Sequence, residues 1–358
     1  MVGGVNLVHG GDIYTQGVLK GVLLTDFSSN INPLGVPLSF RENIEEAVNN
    51  CERYPDIKYR EVLNSLKDYT GIDKEYFVLG NGAAEIIDLS ISCFKSIVIV
   101  VPSFLEYELD AKRQGLSIEY SSLLKEDMEY DYEDILKKME KSEALIIGNP
   151  NNPNGSVIDQ DKFKDILDYC EEKGKKIIID EAFIEFVGDR EKSFTKYLEK
   201  YSCLFIIRAL TKFFGMPGIR FGYGLSGDSS FLKKVRDRQN PWNINCFAET
   251  AVKYVLKDQK YIEKSLKWIV EERKYMTTEL KKLSFIDKVF DTKANFLLIK
   301  LKNKDIQKLY DYCLSSGILI RKCDNFRGLD EHYVRFAVKD REKNNKLLSV
   351  LKNFNLDY

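Results

Sequence analysis

In LTKFFGMPGIRFGYG (210–224), Lys212 and Arg220 stand eight residues apart, separated by glycine and proline in place of helix formers. A lysine amine can condense with a carbonyl, and a guanidinium grips phosphate or carboxylate through parallel hydrogen bonds. Upstream, GNGAAEII (80–87) is a glycine-bearing turn running into a helical pattern. Backbone amides at such a helix start, helped by the helix dipole, can cradle a phosphate. NPNNPNG (149–155) is a run of turn formers that carries Asn152, and KIIID (176–180) ends on Asp180. A carboxylate after four apolar residues must find a partner or solvent. Taken singly, each feature is satisfied by a turn, a helix cap or a solvated charge.

These residues follow short segments that could hold them still. SIVIVV (96–101), ALIIG (144–148), KIIID (176–180), CLFII (203–207) and IRFGYGL (219–225) are brief, rich in β-branched residues and apolar almost throughout. Continuous apolarity suits strands covered on both faces, as in a mostly parallel α/β sheet. Between them lie amphipathic stretches such as DYEDILKKME and DKFKDILDYCEEKG, the second closed by a glycine. In open α/β sheets ligands gather beyond the carboxyl ends of the strands, which is where the polar residues above fall.

The tail has a different texture. A helical pattern over 247–283 precedes NFLLIKL, then DIQKLYDYCLSSG, whose Ile306, Leu309, Cys313 and Leu314 share one helical face. VRFAV (334–338) and a final helix complete a smaller α+β lobe, joined by the N-terminal forty residues. The expected division is an N-terminal segment 1–43 covering the active site, a large domain 44–246 and a small α+β domain 247–358. At 358 residues, two lobes are the natural size.

Composition excludes several classes. A net charge of −1 gives no reason to expect nucleic acid or an anionic membrane as a partner. No apolar run approaches the ~18–20 residues of a membrane span, and the start has no signal-peptide pattern. Seven cysteines (51, 93, 170, 203, 246, 313, 323) without a C-x-x-C pair suggest reduced thiols in a cytoplasmic protein. Two histidines, His9 and His332, are too few for a histidine-rich metal site, and no metal is expected.

One chemistry uses all the polar signals together. Pyridoxal phosphate needs a lysine for its imine, an acid beside its ring nitrogen and donors for its phosphate and ring oxygen. It also needs an aromatic face on its ring. Ala83 and Ala84, Phe104 in PSFLEY, Asn152, Asp180, Lys212 and Arg220 supply these in chain order.

The series GNGAAE, PSFLEY, NPNNPNG, DEAFIEF, LTKFFGMPGIRFGY and VRFAV resembles the fold-type I aminotransferases of the histidinol-phosphate aminotransferase group, over nearly the whole chain. The resemblance implies that Lys212 holds the cofactor and moves the Cα proton, while Asp180 pairs with the ring nitrogen. Arg220 and Thr211 would bind cofactor phosphate with the Ala83–Ala84 turn, Asn152 the ring 3-oxygen, and Phe104 would stack on the ring. Arg335 would take the substrate carboxylate in a two-pronged salt bridge. Tyr54, in RYPDIKY, would reach the cofactor phosphate of a neighbouring subunit, which implies a homodimer with shared active sites.

HGGDIY (9–14) and DFSSNINPLG (26–35) are similar to the threonine-phosphate decarboxylase branch of this group, as are RYPD, DEAFIEF, LTKF and IRKCDNFRGL. That likeness implies a small phosphorylated amino acid as substrate. His9, Gly10, Gly11, Asn32 and Arg321 would surround its phosphate, and Arg335 and Asn152 would contact the rest. The reaction implied is decarboxylation of L-threonine O-3-phosphate in cobalamin biosynthesis, with transamination of histidinol phosphate as the alternative. A regulatory cofactor-binding protein is disfavoured, because the first forty residues lack a basic helix-turn-helix pattern. Two positions depart from the wider group. Phe183 stands where a tyrosine often donates to the ring 3-oxygen, so the imine should titrate at higher pH. Ala209 stands where a serine or threonine often helps hold phosphate.

Overall fold

The computed structural model describes residues 10–354. Its strands are β1 (Thr25–Asp26), β2 (Phe77–Gly80), β3 (Ser96–Val101), β4 (Ser117–Ser122), β5 (Ala144–Gly148), β6 (Lys176–Asp180), β7 (Leu204–Ala209) and β8 (Gly222–Leu225). They continue with β9 (Ile286–Val289), β10 (Phe296–Leu301), β11 (Ile318–Leu319), β12 (Arg321–Lys322) and β13 (Tyr333–Ala337).

Seven strands form the central sheet, in the order β2-β8-β7-β6-β5-β3-β4. The pairs from β4 across to β7 are parallel, while β8 runs antiparallel to both its neighbours. Residues of β3, β5, β6 and β7 are buried almost without exception, as continuous apolar runs covered on both faces require. The mostly parallel sheet matches the expectation, with two corrections. IRFGYGL is the antiparallel member and begins only at Gly222, because Pro217–Ile219 form a 3-10 turn. SIEYSS, β4, is an edge strand with an alternating exposed pattern, which is why it lacks the apolar run of its neighbours.

A second sheet, β12-β13-β10-β9, is antiparallel throughout. The N-terminal segment joins this side of the molecule, since β1 pairs in parallel with β11. The helical pattern over 247–283 resolves into two helices, Cys246–Val255 and Gln259–Leu280. Asp258 starts the second by accepting the Tyr261 amide, an N-cap that breaks the run. Ile306, Leu309 and Cys313 are buried on their helix, whereas Leu314 is only partly so. All seven cysteines are free thiols.

Candidate active site

The carboxyl ends of β5, β6 and β7 open into a cavity of about 380 Å³. Ala83, Ala84, Phe104, Asn152, Asp180, Thr211, Lys212, Arg220, Arg321, Arg335 and Gly10 all line it. Residues spread over three hundred positions of sequence thus converge on one volume.

Asp180 closes β6 and is buried. Its Oδ2 accepts the Tyr107 hydroxyl at 2.5 Å and its Oδ1 accepts the Ala182 amide at 2.9 Å. Burial raises its pKa, while the two donors and the nearby Lys212 ammonium oppose that rise. The next residue, Glu181, is fully buried and ion-paired to Arg208 at 2.9 Å, which anchors the strand end from behind.

Lys212 follows β7 and opens onto the cavity. Burial, then the neighbouring Arg335 charge, pulls its ammonium down to about 8. Its Nζ lies 5.7 Å from the centre of the Phe183 ring, and that ring packs edge-on against Phe296. Ala209 and Phe183 both line the cavity, so neither residue brings a hydroxyl to it.

The helix Ala83–Ile91 begins at Gly82, which makes no side-chain cap. Gly82 has φ +84°, and a Cβ there would lie 2.5 Å from Arg220 Nη2. The absent side chain is what lets the guanidinium sit against uncapped helix amides. Gly222 serves the same approach from β8: a Cβ on it would meet the Ala83 nitrogen at 2.4 Å.

Arg321 and Arg335 are direct cross-strand partners on β12 and β13, and both are buried. Arg335 donates to the Ser28 carbonyl at 2.8 Å and to Asn152 Oδ1, and its Nε has no partner. Arg321 donates to Asn325 Oδ1 at 2.7 Å and lies over the Phe326 ring. Among the described residues neither arginine has an ion pair. Burial lowers the pKa of both, that of Arg335 to about 10. Among the described residues, Asp180 and Glu106 are the acidic groups that line the cavity with Lys212, Arg220, Arg321 and Arg335, so the space favours anions.

Some expected residues lie elsewhere. Asn32 is buried but does not line the cavity, because its amide donates to the Phe213 carbonyl and the Ser265 hydroxyl. Its Oδ1 accepts the Leu34 amide, so the side chain fastens the N-terminal segment to the lysine-bearing loop. Gly11 sits one residue behind the wall, its amide held by Ser28 Oγ. Tyr54 is 77% exposed, its ring tilted against Trp242 with centroids 4.7 Å apart, and does not enter this chain's own cavity. His9 lies outside the described residues. Sequence reasoning missed Tyr107, Ser28 and Ser29. Tyr107 lies one helical turn beyond Phe104 in PSFLEY, a spacing that could have drawn attention to it.

The class I and II aminotransferase family model matches residues 23–351. The chain is 32% identical to threonine-phosphate decarboxylase of Salmonella typhimurium strain LT2, over 97% of this chain and 96% of that one. A Caldanaerobacter subterraneus protein provisionally named as a threonine-phosphate decarboxylase is 42% identical, over 96% and 93%. The solved structure of histidinol-phosphate aminotransferase from Clostridium acetobutylicum is 54% identical, with a TM-score of 0.89, over 91% and 97%. The two names differ in the bond that is broken, yet every one of these matches runs the length of the sheet and the strands around this cavity. The chain belongs to the class I and II aminotransferase family.

Proposed function

We propose that this chain is a pyridoxal phosphate-dependent carboxy-lyase. It would convert L-threonine O-3-phosphate into (R)-1-amino-2-propanol O-2-phosphate and carbon dioxide, for the aminopropanol arm of cobalamin. The observation that carries this reading is the buried cross-strand pair Arg321 and Arg335 in one cavity with Lys212. Like charges directly opposite each other are unfavourable in a sheet. A substrate with a carboxylate and a phosphate on a short skeleton would settle both.

The residues present fit the cofactor. The uncapped amides at Ala83 and Ala84, the Thr211 hydroxyl and the Arg220 guanidinium would hold its phosphate; the space a Cβ on Gly82 or Gly222 would fill favours that fit. Phe104 would face its ring, Asn152 its 3-oxygen and Asp180 its ring nitrogen. When bound through Lys212, the cofactor supplies an electron sink for the bond broken at the substrate Cα.

The protein's own residues would hold and orient the reacting groups. Tyr107 and the Ala182 amide orient Asp180 and oppose the rise in its pKa that burial causes. Arg335, fixed by Ser28 and Asn152, would orient the substrate carboxylate, and Arg321 with Gly10 and His9 would take the phosphate, while Gly11, its amide held by Ser28 Oγ, would fix the turn from behind. Asn32 acts behind them by fastening the segment that carries these groups. Lys212, with its pKa near 8, can hold a proton at working pH and deliver it to Cα after carbon dioxide leaves. Gly10 and the 28–30 segment line the cavity on its N-terminal side.

We read residues 1–43 as the cover, 44–246 as the large domain and 247–358 as the small one. Exposed Tyr54 supports a homodimer in which each subunit completes its partner's site, and we read that homodimer as cytoplasmic. No helix among the described residues is long and apolar enough to cross a membrane.

The 54% identity to the solved histidinol-phosphate aminotransferase of Clostridium acetobutylicum favours a second reading, transamination of histidinol phosphate. The experiment is an assay with L-threonine O-3-phosphate and no keto acid. Catalytic release of carbon dioxide and aminopropanol phosphate supports the lyase. A single stoichiometric conversion of bound cofactor to its amine form, without gas, supports the aminotransferase and sinks the first reading.

A further inference from the structure

The wall that carries Arg335 is organised by a carboxylate outside the cavity lining. Asp26, at the end of β1, accepts the Ser28 amide at 2.7 Å, the Ser28 hydroxyl at 2.6 Å and the Ser29 amide at 3.2 Å, all on Oδ1. Its Oδ2 takes the Ser29 hydroxyl. With its proton directed to Asp26, Ser28 Oγ presents lone pairs to the other side, where it accepts the Gly11 amide at 2.7 Å. The carbonyl of the same serine accepts Arg335 Nη2 at 2.8 Å. Lys339 Nζ holds the next carbonyl, Ser29, at 2.9 Å.

Ser28 therefore grips the Gly10–Gly11 turn with its hydroxyl oxygen and Arg335 with its carbonyl. Gly10 is pressed so close that a Cβ would lie 2.3 Å from Ser28 O and 3.5 Å from Arg335 Nη2. Any larger residue would push the turn away from the arginine. The separation between the two anion-binding elements is thus set within one residue, and the orientation of that residue is set by Asp26.

We propose that Asp26, acting through Ser28, is a positioning residue that fixes the Gly10–Gly11 turn at a set distance from Arg335 and so makes the enzyme demand a substrate anionic at both ends. This rests on the assignment of the turn and of Arg335 to the two ends of the substrate. A charge-assisted hydrogen bond from Ser28 to Asp26 is stronger than a neutral one, which suits a residue that must hold a serine in one rotamer.

The test uses the full-length holoenzyme with Ser28→Ala, Ser28→Thr and Asp26→Asn. Ser28→Ala removes the acceptor for Gly11, and hydrogen exchange in the peptide over residues 10–14 should quicken about ten-fold, the effect of one lost hydrogen bond. KM for L-threonine O-3-phosphate should rise by a similar factor of about ten with kcat held within about two-fold. The apparent KM for unphosphorylated L-threonine should stay put, so discrimination shrinks. Ser28→Thr should restore both readouts, and Asp26→Asn should fall between. Unchanged exchange in Ser28→Ala overturns the proposal, and so does an equal rise in KM for both substrates. Should the product assay reveal transamination instead, exchange over residues 10–14 still reports on the Asp26–Ser28 link by itself. Failure of the link and failure of the lyase reading therefore give different results.

Discussion

The two walls of the cavity are built on opposite terms. The wall at the strand ends of the central sheet is self-sufficient: Asp180 has two donors, Glu181 has Arg208, and both are anchored in the buried sheet. The facing wall, from the second sheet and the N-terminal segment, buries two cations that have no carboxylate partner among the described residues and leaves Arg335 Nε without a described partner. A buried charge without a partner is unfavourable, so the second wall is completed by what binds there. Substitutions in the first wall should therefore disturb cofactor retention and chemistry, and those in the second should disturb substrate affinity.

The largest effect is expected at Lys212, where the two walls meet. Lys212→Ala should lower turnover by roughly 10⁴-fold, the upper end for a positioned proton carrier, because the covalent anchor goes as well. A variant retaining a tenth of the activity would place the reactive amine elsewhere. Next comes Arg335→Gln. Removing one partner of a buried charged contact costs about 2–5 kcal/mol, so kcat/KM for phosphothreonine should drop by roughly 30-fold to several thousand-fold. The same change tests the link between the walls through pH. Arg335 depresses the Lys212 pKa, second only to burial, so deleting the guanidinium must raise it. In cofactor-free protein, amine labelling of Lys212 should be half-maximal near pH 8 in the wild type and at higher pH in the variant. An unmoved midpoint would mean that the two groups do not sense each other.

A smaller loss, confined to the first wall, is expected for Tyr107→Phe. It removes the 2.5 Å donor from a buried carboxylate, and leaving part of such a group unsatisfied costs about 1–3 kcal/mol. Cofactor affinity, measured by titrating cofactor-free protein, should weaken about ten-fold, with KM for substrate little changed. A rise in KM at intact cofactor affinity would erase the division between the walls.

The same division explains what could be read from the sequence. β3, β5 and β6 were legible because a buried parallel strand is continuously apolar, and the residues just past their ends were legible because strand and turn share a few consecutive positions. SIEYSS was not, since an edge strand needs no such run, and FVLG is only four residues long. The second wall depends on partners far apart in sequence. Ser28 meets Gly11 across 17 residues and Arg335 across 307. Asn32 shows the limit: its place in DFSSNINPLG suggested a substrate contact, but its amide is used by Phe213 and Ser265, 181 and 233 residues away. Tyr107 reaches Asp180 over 73 residues, so the spacing within PSFLEY could flag the residue but not its partner.

The smallest effect should come from Phe183→Tyr, which adds to the first wall where the others subtract. The ring lines the same cavity as Asn152 and lies 5.7 Å from Lys212 Nζ. A hydroxyl there would give the cofactor's 3-oxygen a second donor besides Asn152, stabilising its negative form. One added hydrogen bond is worth about 0.5–1.5 kcal/mol, or up to about one pH unit. The sign is fixed: favouring the deprotonated form lowers the pH at which the bound cofactor's absorbance titrates. Phe183 packs edge-on against Phe296 at 5.1 Å, so the new tyrosine is held in the orientation of the old ring and cannot easily turn its hydroxyl to solvent. A spectral titration that moves downward with KM unchanged would keep this residue's influence within the cofactor wall. A shift in KM of the same size would show that Phe296, which also lies under the Arg335 guanidinium, carries the disturbance across to the substrate wall.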